Sequence, residues 1–170
     1  MSDAVASPTG TGPIKRITLW VRDIEASLAV YRDALGLAVI EDKRLEGAAI
    51  GRMIGLDSAA LRIVHLAPPG ADHGWVGLYA ISETTPRPMA ALPKPASFPM
   101  YGQATIVLPT TQMDAVVARL RALGSVTFIA GPTEYVKTTA GDVTPPGRYS
   151  EAIFFDPDGV PVSLMGYTPL

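Results

Sequence analysis

Few side chains in this sequence combine a reactive type with a position where chemistry could occur. The two histidines differ in context: His65 lies in the apolar run LRIVHLAP, whereas His73 lies in the Pro- and Gly-rich stretch PPGADHG. If His65 faces a cavity, it could act as a general base, although a single histidine in a strand is more often a hydrogen-bonded structural residue. We expect His73 to be solvated in a loop.

A second group of interest comes from the strand predicted at IKRITLWV, residues 14–21. Because side chains alternate along a strand, Arg16, Thr18 and Trp20 share one face. A cation, a hydroxyl and an indole thus lie on the same side of this strand. Ser163, in the closing run VPVSLMGY, has no base nearby in the sequence. We therefore do not propose it as a nucleophile.

Composition excludes several other chemistries. The sequence has no cysteine, which rules out disulfides, thiolate zinc sites and cysteine nucleophiles and fits a reducing cytoplasm. Gly-rich phosphate loops and serine-nucleophile motifs are absent. A net charge of −2 gives no basic excess for nucleic acid, and no apolar run approaches the ~20 residues that cross a bilayer. We expect a cytoplasmic protein with no nucleic-acid or membrane partner.

The elements that would position these residues occur twice. Asp23 is placed to cap a helix that ends at Gly36, and a second helix is predicted from Thr111 to Gly124, where Thr111 and Asp114 have the spacing of a capping box. Corresponding elements recur after about 88 residues, which indicates an internal duplication. Strands are predicted at 14–21, 38–45, 60–66, 75–81, 102–108, 126–130, 149–155 and 160–167.

The duplication predicts a domain organisation. Residues 1–13 form a flexible tail, 14–83 a first βαβββ module, 84–99 a Pro-rich linker and 100–170 a second βαβββ module. One helix covers only one face of a four-stranded sheet, so the other face needs a second module. With 48% hydrophobic residues, the chain can bury such a core.

The segments RITLWVRDIEASLAVYRDALGL and IFFDPDGVPVSLMGY resemble the opening and closing signatures of the vicinal oxygen chelate superfamily. This superfamily includes glyoxalase I, extradiol dioxygenases and bleomycin resistance proteins. The resemblance extends from about Ile14 to Tyr167, where Asp156–Gly159 reads as a hairpin turn. It implies an α+β fold in which two βαβββ modules form a cupped, mostly antiparallel eight-stranded sheet. It also implies a homodimer.

In metal-dependent members of the superfamily, four strand positions facing the cup carry metal ligands. The resemblance assigns these positions to Arg16, Gly77, Gln103 and Ser163, with Leu78 as the alternative to Gly77 if the register shifts. A divalent metal needs several histidine or carboxylate donors. Only Gln103 is a usable ligand of this set, so we predict a cup without a metal or other cofactor.

Arg16 has alternative interpretations. In place of the metal, its guanidinium would bind a carboxylate, phosphate or phenolate of the ligand through two hydrogen bonds. Alternatively, it forms an internal ion pair with Glu83 or Glu151, or extends to the rim of the cup. The residues predicted to contact a ligand are Arg16, Thr18, Trp20, Tyr79, Gln103, Thr105, Ser163 and Met165, with His65 and Gly77 as further candidates.

Three functions are consistent with this set of residues. The first is a metal-free protein of the glyoxalase and bleomycin resistance type that binds a small anionic or aromatic molecule. The second is an enzyme of the same superfamily: a lyase or isomerase that uses Arg16, Gln103 and His65, or a metal-dependent enzyme such as a dioxygenase whose ligands lie elsewhere. The third is a regulatory or interaction module whose cup is filled by its own side chains.

Overall fold

The computed structural model describes residues 14–82, 98–141 and 143–170. The chain divides into two compact units, Met1–Pro86 and Arg87–Leu170. The predicted tail, residue Glu83 and the predicted linker up to residue 97 lie outside the described residues. Predictions for those segments therefore stay predictions.

The first unit is a four-stranded sheet with a helix between its first two strands. The strand order is β1-β4-β3-β2, with β1 parallel to β4 and the other neighbours antiparallel. Its elements are β1 (Arg16–Trp20), α1 (Ile24–Leu28) with a π-helical continuation (Ala29–Ala34), β2 (Ala38–Gly47), α2 (Ala48–Met53), β3 (Ala59–Ala67) and β4 (Trp75–Ile81). The short helix α2 was not predicted.

Local sequence explains how α1 begins. The Asp23 carboxylate accepts hydrogen bonds from the backbone N–H groups of Glu25 and Ala26 at 2.9 and 3.3 Å. These bonds satisfy donors that have no partner within the helix, as the sequence predicted. After the π-helical segment, Gly36 adopts a φ of 79°, a conformation that glycine tolerates best.

The two faces of the first sheet differ in what covers them. Arg62 in β3 forms ion pairs with Glu25 in α1 and with Asp42 in β2, at 2.7 and 2.8 Å, which identifies the α1 side of the sheet. Val64 and Leu66 share that side by alternation and are fully buried. We call the opposite side, which carries His65, the reverse face of the first unit.

The second unit repeats this arrangement. Its strand order is β5-β8-β7-β6, with β5 parallel to β8 and the other neighbours antiparallel. Its elements are β5 (Ile106–Pro109), α3 (Met113–Leu123), β6 (Thr127–Lys137), β7 (Gly147–Phe155) and β8 (Pro161–Pro169). The predicted α+β fold of two βαβββ modules with mostly antiparallel strands is thus confirmed, with α2 as an addition to the first.

Two local predictions in the second unit are wrong. The capping box at Thr111 does not form, because Gln112 is the N-cap residue and lacks a side-chain cap; instead, the Thr110 hydroxyl accepts a hydrogen bond from the Gln112 N–H. In addition, β5 begins at Ile106, so Gln103 and Thr105 precede the strand rather than lie within it. Strand β5 begins at Ile106 because its partner strand β8 begins only at Pro161. Ile106, which pairs with Val162, is the first β5 residue with a partner.

The closing hairpin forms as predicted. The buried Asp156 carboxylate accepts hydrogen bonds from the N–H groups of Asp158 and Val160 at 2.9 and 2.8 Å. Gly159 adopts a φ of 82°, which the turn requires. The hairpin leads directly into β8, which carries Ser163.

Candidate functional site

One row of residues crosses all four strands of the first sheet. Thr18 in β1 is in register with Gly77 in β4, Gly77 with His65 in β3, and His65 with Glu41 in β2. Residues in register point to the same side of a sheet, so this row lies on the reverse face. Sequence alternation correctly grouped Thr18 with Arg16, but it gave no information on which strand residues meet across the sheet.

His65 is the centre of this row. Its side chain is buried, its Nδ1 lies 2.8 Å from Oε2 of Glu41, and its Nε2 lies 3.1 Å from the hydroxyl oxygen of Tyr79. A carboxylate can only accept, so a neutral His65 donates from Nδ1 and presents the lone pair of Nε2 to the Tyr79 O–H. We call this hydrogen-bonded set the Glu41–His65–Tyr79 chain.

Glu41 is held in its charged form. The Lys43 ammonium, 2.9 Å away, lowers the pKa of the Glu41 carboxyl, and His65 lowers it further. The carboxylate therefore remains available to orient the imidazole. Sequence analysis did not identify Glu41, because no local pattern indicates that β2 places it beside His65.

Gly77 provides the space for this arrangement. A Cβ atom at this position would lie 2.9 Å from Cε1 of Tyr79 and 3.3 Å from Cδ2 of His65. A side chain here would push apart the two rings that share the hydrogen bond. The position where the resemblance implies a metal ligand is thus occupied by the residue that admits the His65–Tyr79 pair.

Aromatic rings surround Tyr79 on the reverse face of the first unit. Trp20, 49% exposed, meets Tyr79 edge to face with ring centroids 5.5 Å apart, and Trp75 lies 6.2 Å from His65. Two cations lie against these rings: the Arg16 guanidinium 5.8 Å from the Tyr79 centroid and the Lys15 ammonium 4.1 Å from the Trp75 centroid. The reverse face thus combines flat apolar surface with positive charge.

Arg16 is exposed, and its Nε donates to the Thr18 hydroxyl at 3.3 Å. Over residues 14–82, 98–141 and 143–170 it forms no ion pair with an acidic side chain. Of the predicted acidic partners, Glu83 lies outside the described residues, and Glu151 accepts a hydrogen bond from the Tyr135 hydroxyl at 3.0 Å. The guanidinium retains donors that a ligand can use.

The other histidine, His73, lies on the surface, 2.6 Å from Asp72, as expected for a loop residue.

The reverse face of the second unit, opposite α3, carries the other predicted positions. Arg121 of α3 lies over Phe128, which identifies the α3 side. Ser163 is buried on the reverse face, in register with Ile153, and Met165 follows it two residues later. Here again no histidine or acidic side chain stands at the position that the resemblance assigns to a metal ligand.

Gln103 and Thr105 differ in exposure. Thr105 is exposed, whereas the Gln103 side-chain oxygen is buried and has no hydrogen-bond partner in the described part of the chain. A buried acceptor without a partner is costly.

Three tyrosines on the second reverse face were not predicted. Tyr135, Tyr149 and Tyr167 are in register, with ring centroids 5.3 and 5.2 Å apart. The hydroxyls of Tyr149 and Tyr167 donate to backbone carbonyls of Pro145 and Pro146 at 2.7 and 3.2 Å. Burial raises the pKa of Tyr149, and partial burial together with the Glu151 carboxylate raises that of Tyr135. We call these residues the tyrosine ladder.

The residues at the four implied metal positions do not fit a metal ion. Gln103 has an unpartnered oxygen, but Arg16 is a cation, Gly77 has no side chain and Ser163 is a poor neutral ligand. Throughout the described residues, no group of three or more His, Asp or Glu side chains is placed to hold a metal. His65 uses both ring nitrogens within its own hydrogen-bonded chain.

Comparison with known proteins confirms the resemblance inferred from the two signatures. The family model described as Glyoxalase/Bleomycin resistance protein/Dioxygenase superfamily matches residues 13–164. No curated protein matches the chain significantly.

Among the described residues, none of the helices has the length and apolar character needed to cross a membrane.

Several solved structures share the fold. A glyoxalase family protein from Bacillus cereus is 18% identical, with a TM-score of 0.67 over 91% of this chain and 93% of that one. A superfamily member from Sphaerobacter thermophilus is 22% identical, with a TM-score of 0.52 over 92% and 98%. TnmS3, an antibiotic binding protein from a Streptomyces species, is 23% identical, with a TM-score of 0.50 over 93% and 98%. At these identities the similarity shows the fold alone.

Proposed function

We propose that this chain, which belongs to the Glyoxalase/Bleomycin resistance protein/Dioxygenase superfamily, binds a small organic molecule. We propose further that it binds this molecule without a metal ion, since the residues at the four implied metal positions do not fit one. The ligand that its first unit favours is a planar aromatic molecule with an acidic group. The ligand's ring would lie against Trp20 and Tyr79 on the reverse face, and its acidic group would meet Arg16.

The observation that carries this proposal is the position of the Arg16 guanidinium, 5.8 Å from the centroid of Tyr79, whose ring meets Trp20 edge to face. A guanidinium at an aromatic surface can donate two parallel hydrogen bonds to a carboxylate while the ring of the same ligand packs on the aromatic side chains. An aromatic acid satisfies both features at once.

The charges of the reverse face favour an anion over a cation. Glu41 already interacts with Lys43 and His65, whereas Arg16 and Lys15 lie against aromatic rings. The free charge that a ligand would meet near these rings is therefore positive. A cationic aromatic drug would lack a matching acidic partner among the described residues of this face.

Residues of the second unit are proposed as further ligand contacts. The unpartnered oxygen of Gln103 would accept a hydrogen bond from the ligand, while Ser163, Met165 and Thr105 would add polar and apolar surface. TnmS3, which shares the fold, is an antibiotic binding protein, and we propose a binding role of that kind for this chain.

The test is a comparison of aromatic carboxylates with their uncharged amides and with cationic aromatics. We expect the carboxylates, such as benzoates and naphthoates, to raise the melting temperature because they bind only the folded state. In calorimetry, Arg16→Ala should weaken the best carboxylate by about tenfold, corresponding to about 1.4 kcal/mol.

Arg44→Ala is the matched control, since Arg44 is an exposed arginine that is in register with Arg62 on the α1 side of the same sheet. It should leave the affinity unchanged. Equal affinities for wild type and Arg16→Ala would show that Arg16 does not bind the acidic group. A preference for the amides or the cations would contradict the assigned ligand class.

The second candidate is an enzyme of the same superfamily, and the Glu41–His65–Tyr79 chain favours it. An imidazole oriented by a carboxylate can take or give a proton, as a metal-independent lyase or isomerase requires. Chemical change of a bound aromatic acid, lost in His65→Gln, would support the enzyme. Stoichiometric metal in protein purified without chelators would contradict the metal-free proposal and favour metal-dependent chemistry.

A homodimer in the cytoplasm remains part of the proposal. The homodimer follows from the resemblance, and the absence of cysteine suits a reducing compartment. Light scattering at several protein concentrations would measure the mass directly. A mass of 17.9 kDa at all concentrations would contradict the homodimer.

A further inference from the structure

We propose that the Glu41–His65–Tyr79 chain accepts the proton of an acidic hydroxyl group on the bound aromatic ligand, so that the ligand is held as an oxyanion. This inference rests on the proposed function, in which an aromatic acid binds beside Tyr79. It narrows the ligand class to aromatic acids that carry a phenol or a similarly acidic hydroxyl.

The hydrogen-bond directions make Tyr79 an acceptor toward the ligand. Glu41 binds the Nδ1 proton of His65 at 2.8 Å, so the Nε2 lone pair, 3.1 Å from the phenolic oxygen, accepts the Tyr79 proton. With its own proton directed at His65, the Tyr79 oxygen offers its lone pairs to another donor. A ligand hydroxyl at Tyr79 would therefore donate.

The proton step is balanced within the chain. The O–H bond of the ligand breaks as a new O–H bond forms on Tyr79, and the original Tyr79 O–H bond breaks as an N–H bond forms on Nε2 of His65. The products are a ligand oxyanion, a neutral Tyr79 and a protonated His65. No oxidant, reductant or further reactant is needed.

The surrounding charges favour this state. The protonated His65 is buried, and the Glu41 carboxylate at 2.8 Å supplies the opposite charge that a buried cation requires. Lys43, on the same strand, pairs with Glu41, while Arg16 of β1 lies over Tyr79 and Lys15 lies over Trp75 of β4. A ligand oxyanion beside Tyr79 would lie close to the Arg16 guanidinium.

The tyrosine ladder lacks this property. The hydroxyls of Tyr149 and Tyr167 donate to backbone carbonyl groups, which cannot take up a proton at ordinary pH. The hydroxyl of Tyr135 donates to the Glu151 carboxylate, and its pKa is raised. In contrast to the three tyrosines of the ladder, Tyr79 has its hydroxyl joined to an imidazole.

The experiment uses 4-hydroxycinnamate, whose phenol and phenolate forms absorb at different wavelengths and whose phenol ionises well above the pH range in which an ordinary imidazole takes up a proton. It is carried out about one unit below the pKa of the free phenol, where roughly a tenth of the unbound probe is phenolate. We expect binding to the wild-type protein to raise that fraction to more than roughly half. Calorimetry reports binding separately, and the 4-methoxy analogue provides a probe that has no proton to lose.

Variants test the route of the proton. Tyr79→Phe keeps the ring, and His65→Gln keeps a polar side chain; each should return the bound probe to the phenol spectrum while the methoxy analogue still binds. Tyr135→Phe, which removes one hydroxyl from the tyrosine ladder, is the matched control and should leave the phenolate band unchanged. Circular dichroism checks that every variant is folded.

Three results would overturn the inference. Binding of the probe without a phenolate band would show that no proton is transferred, and the proposed function would stand. A band that persists in Tyr79→Phe but disappears in Arg16→Ala would assign ionisation to the guanidinium alone. If neither the hydroxy nor the methoxy compound binds, and the other aromatic carboxylates also fail, the proposed function is wrong together with this inference.

Discussion

The reverse faces of the two units have the same strand order but use their tyrosines differently. In the first unit, the Tyr79 hydroxyl is bonded to an imidazole whose other nitrogen contacts a carboxylate. In the second unit, the hydroxyls of Tyr149 and Tyr167 are bonded to main-chain carbonyls. A carbonyl is a permanent acceptor, whereas an imidazole can gain a proton. An imidazole partner thus distinguishes Tyr79 of the first unit from the three stacked tyrosines of the second.

Glycine makes room for the rings in both copies, but with different neighbours. A Cβ at Gly147 would overlap Cε2 of Tyr167 and would lie 2.8 Å from the backbone oxygen of Thr168. A Cβ at Gly77 would press instead on side chains, those of Tyr79 and His65. A backbone atom within a sheet moves less readily than a ring, so the second unit should tolerate a new methyl group less well.

The largest predicted effect uses this pair of glycines. Overpacking costs typically 1–3 kcal/mol, so we expect Gly147→Ala to lower the free energy of unfolding by about 3 kcal/mol and Gly77→Ala by about 1 kcal/mol. Urea denaturation with a shared m-value measures both. Gly77→Ala should also weaken the phenolate band of bound 4-hydroxycinnamate. Equal costs at the two sites would show that the backbone contact at Gly147 relaxes freely.

A smaller effect separates the two faces as ligand surfaces. Trp20 and Tyr135 are comparably exposed, at 49% and 44%, and the ring of each contacts the ring of a neighbouring tyrosine. Because an aromatic contact contributes about 0.5–1.5 kcal/mol, Trp20→Ala should weaken aromatic acid binding by roughly 2- to 10-fold. Tyr135→Ala should leave it unchanged. Calorimetry with one aromatic carboxylate measures the affinity of both variants. Weaker binding in Tyr135→Ala but not in Trp20→Ala would place the ligand site in the second unit.

The smallest predicted effect is a difference in pH dependence. The pKa of Glu41 lies below its usual value of 4.5, so its contribution to stability is present above that value and is lost as the pH falls through the folded-state pKa. The pKa values of Tyr135 and Tyr149 lie above 10.0, so their contribution is present below pH 10.0 and is lost as the pH rises through the folded-state values. The first unit should therefore weaken in acid and the second in alkali.

Urea midpoints across the pH range measure this difference. Lys43→Gln should reduce the acid-side dependence, because Lys43 is the main cause of the lowered Glu41 pKa. Tyr135→Phe should reduce the alkaline-side dependence. A Lys43→Gln protein with an unaltered acid limb would show that Glu41 does not contribute through this ion pair.

Local chemistry made part of the fold predictable. Asp23 as a helix cap and Asp156 in the closing turn each act on backbone groups a few residues away, so the sequence was sufficient. Thr111 was misjudged, because the neighbouring Thr110 hydroxyl binds the Gln112 N–H. Strand lengths were harder to predict from the sequence. Strand β6 extends to Lys137 because Lys137 pairs with Gly147, and no local sequence pattern indicates this register.

The same limit applies to the candidate site. The predicted face of Arg16, Thr18 and Trp20 follows from alternation within one strand. The Glu41–His65–Tyr79 chain needs the register of three strands, and His65 meets Glu41 next to an irregularity between Val39 and Glu41. His65 was recognised only as a candidate, and Glu41 was missed. The roles of Gln103, Thr105, Ser163 and Met165 remain predictions.

The most direct measurement is a map of amide chemical shifts during titration with an aromatic acid. If the reverse face of the first unit binds the ligand, the largest changes should occur at Thr18, His65, Gly77 and Tyr79, and Arg16→Ala should reduce them. Changes confined to the tyrosine ladder, with the β1 and β4 amides unmoved, would contradict the assignment of the site to the first unit.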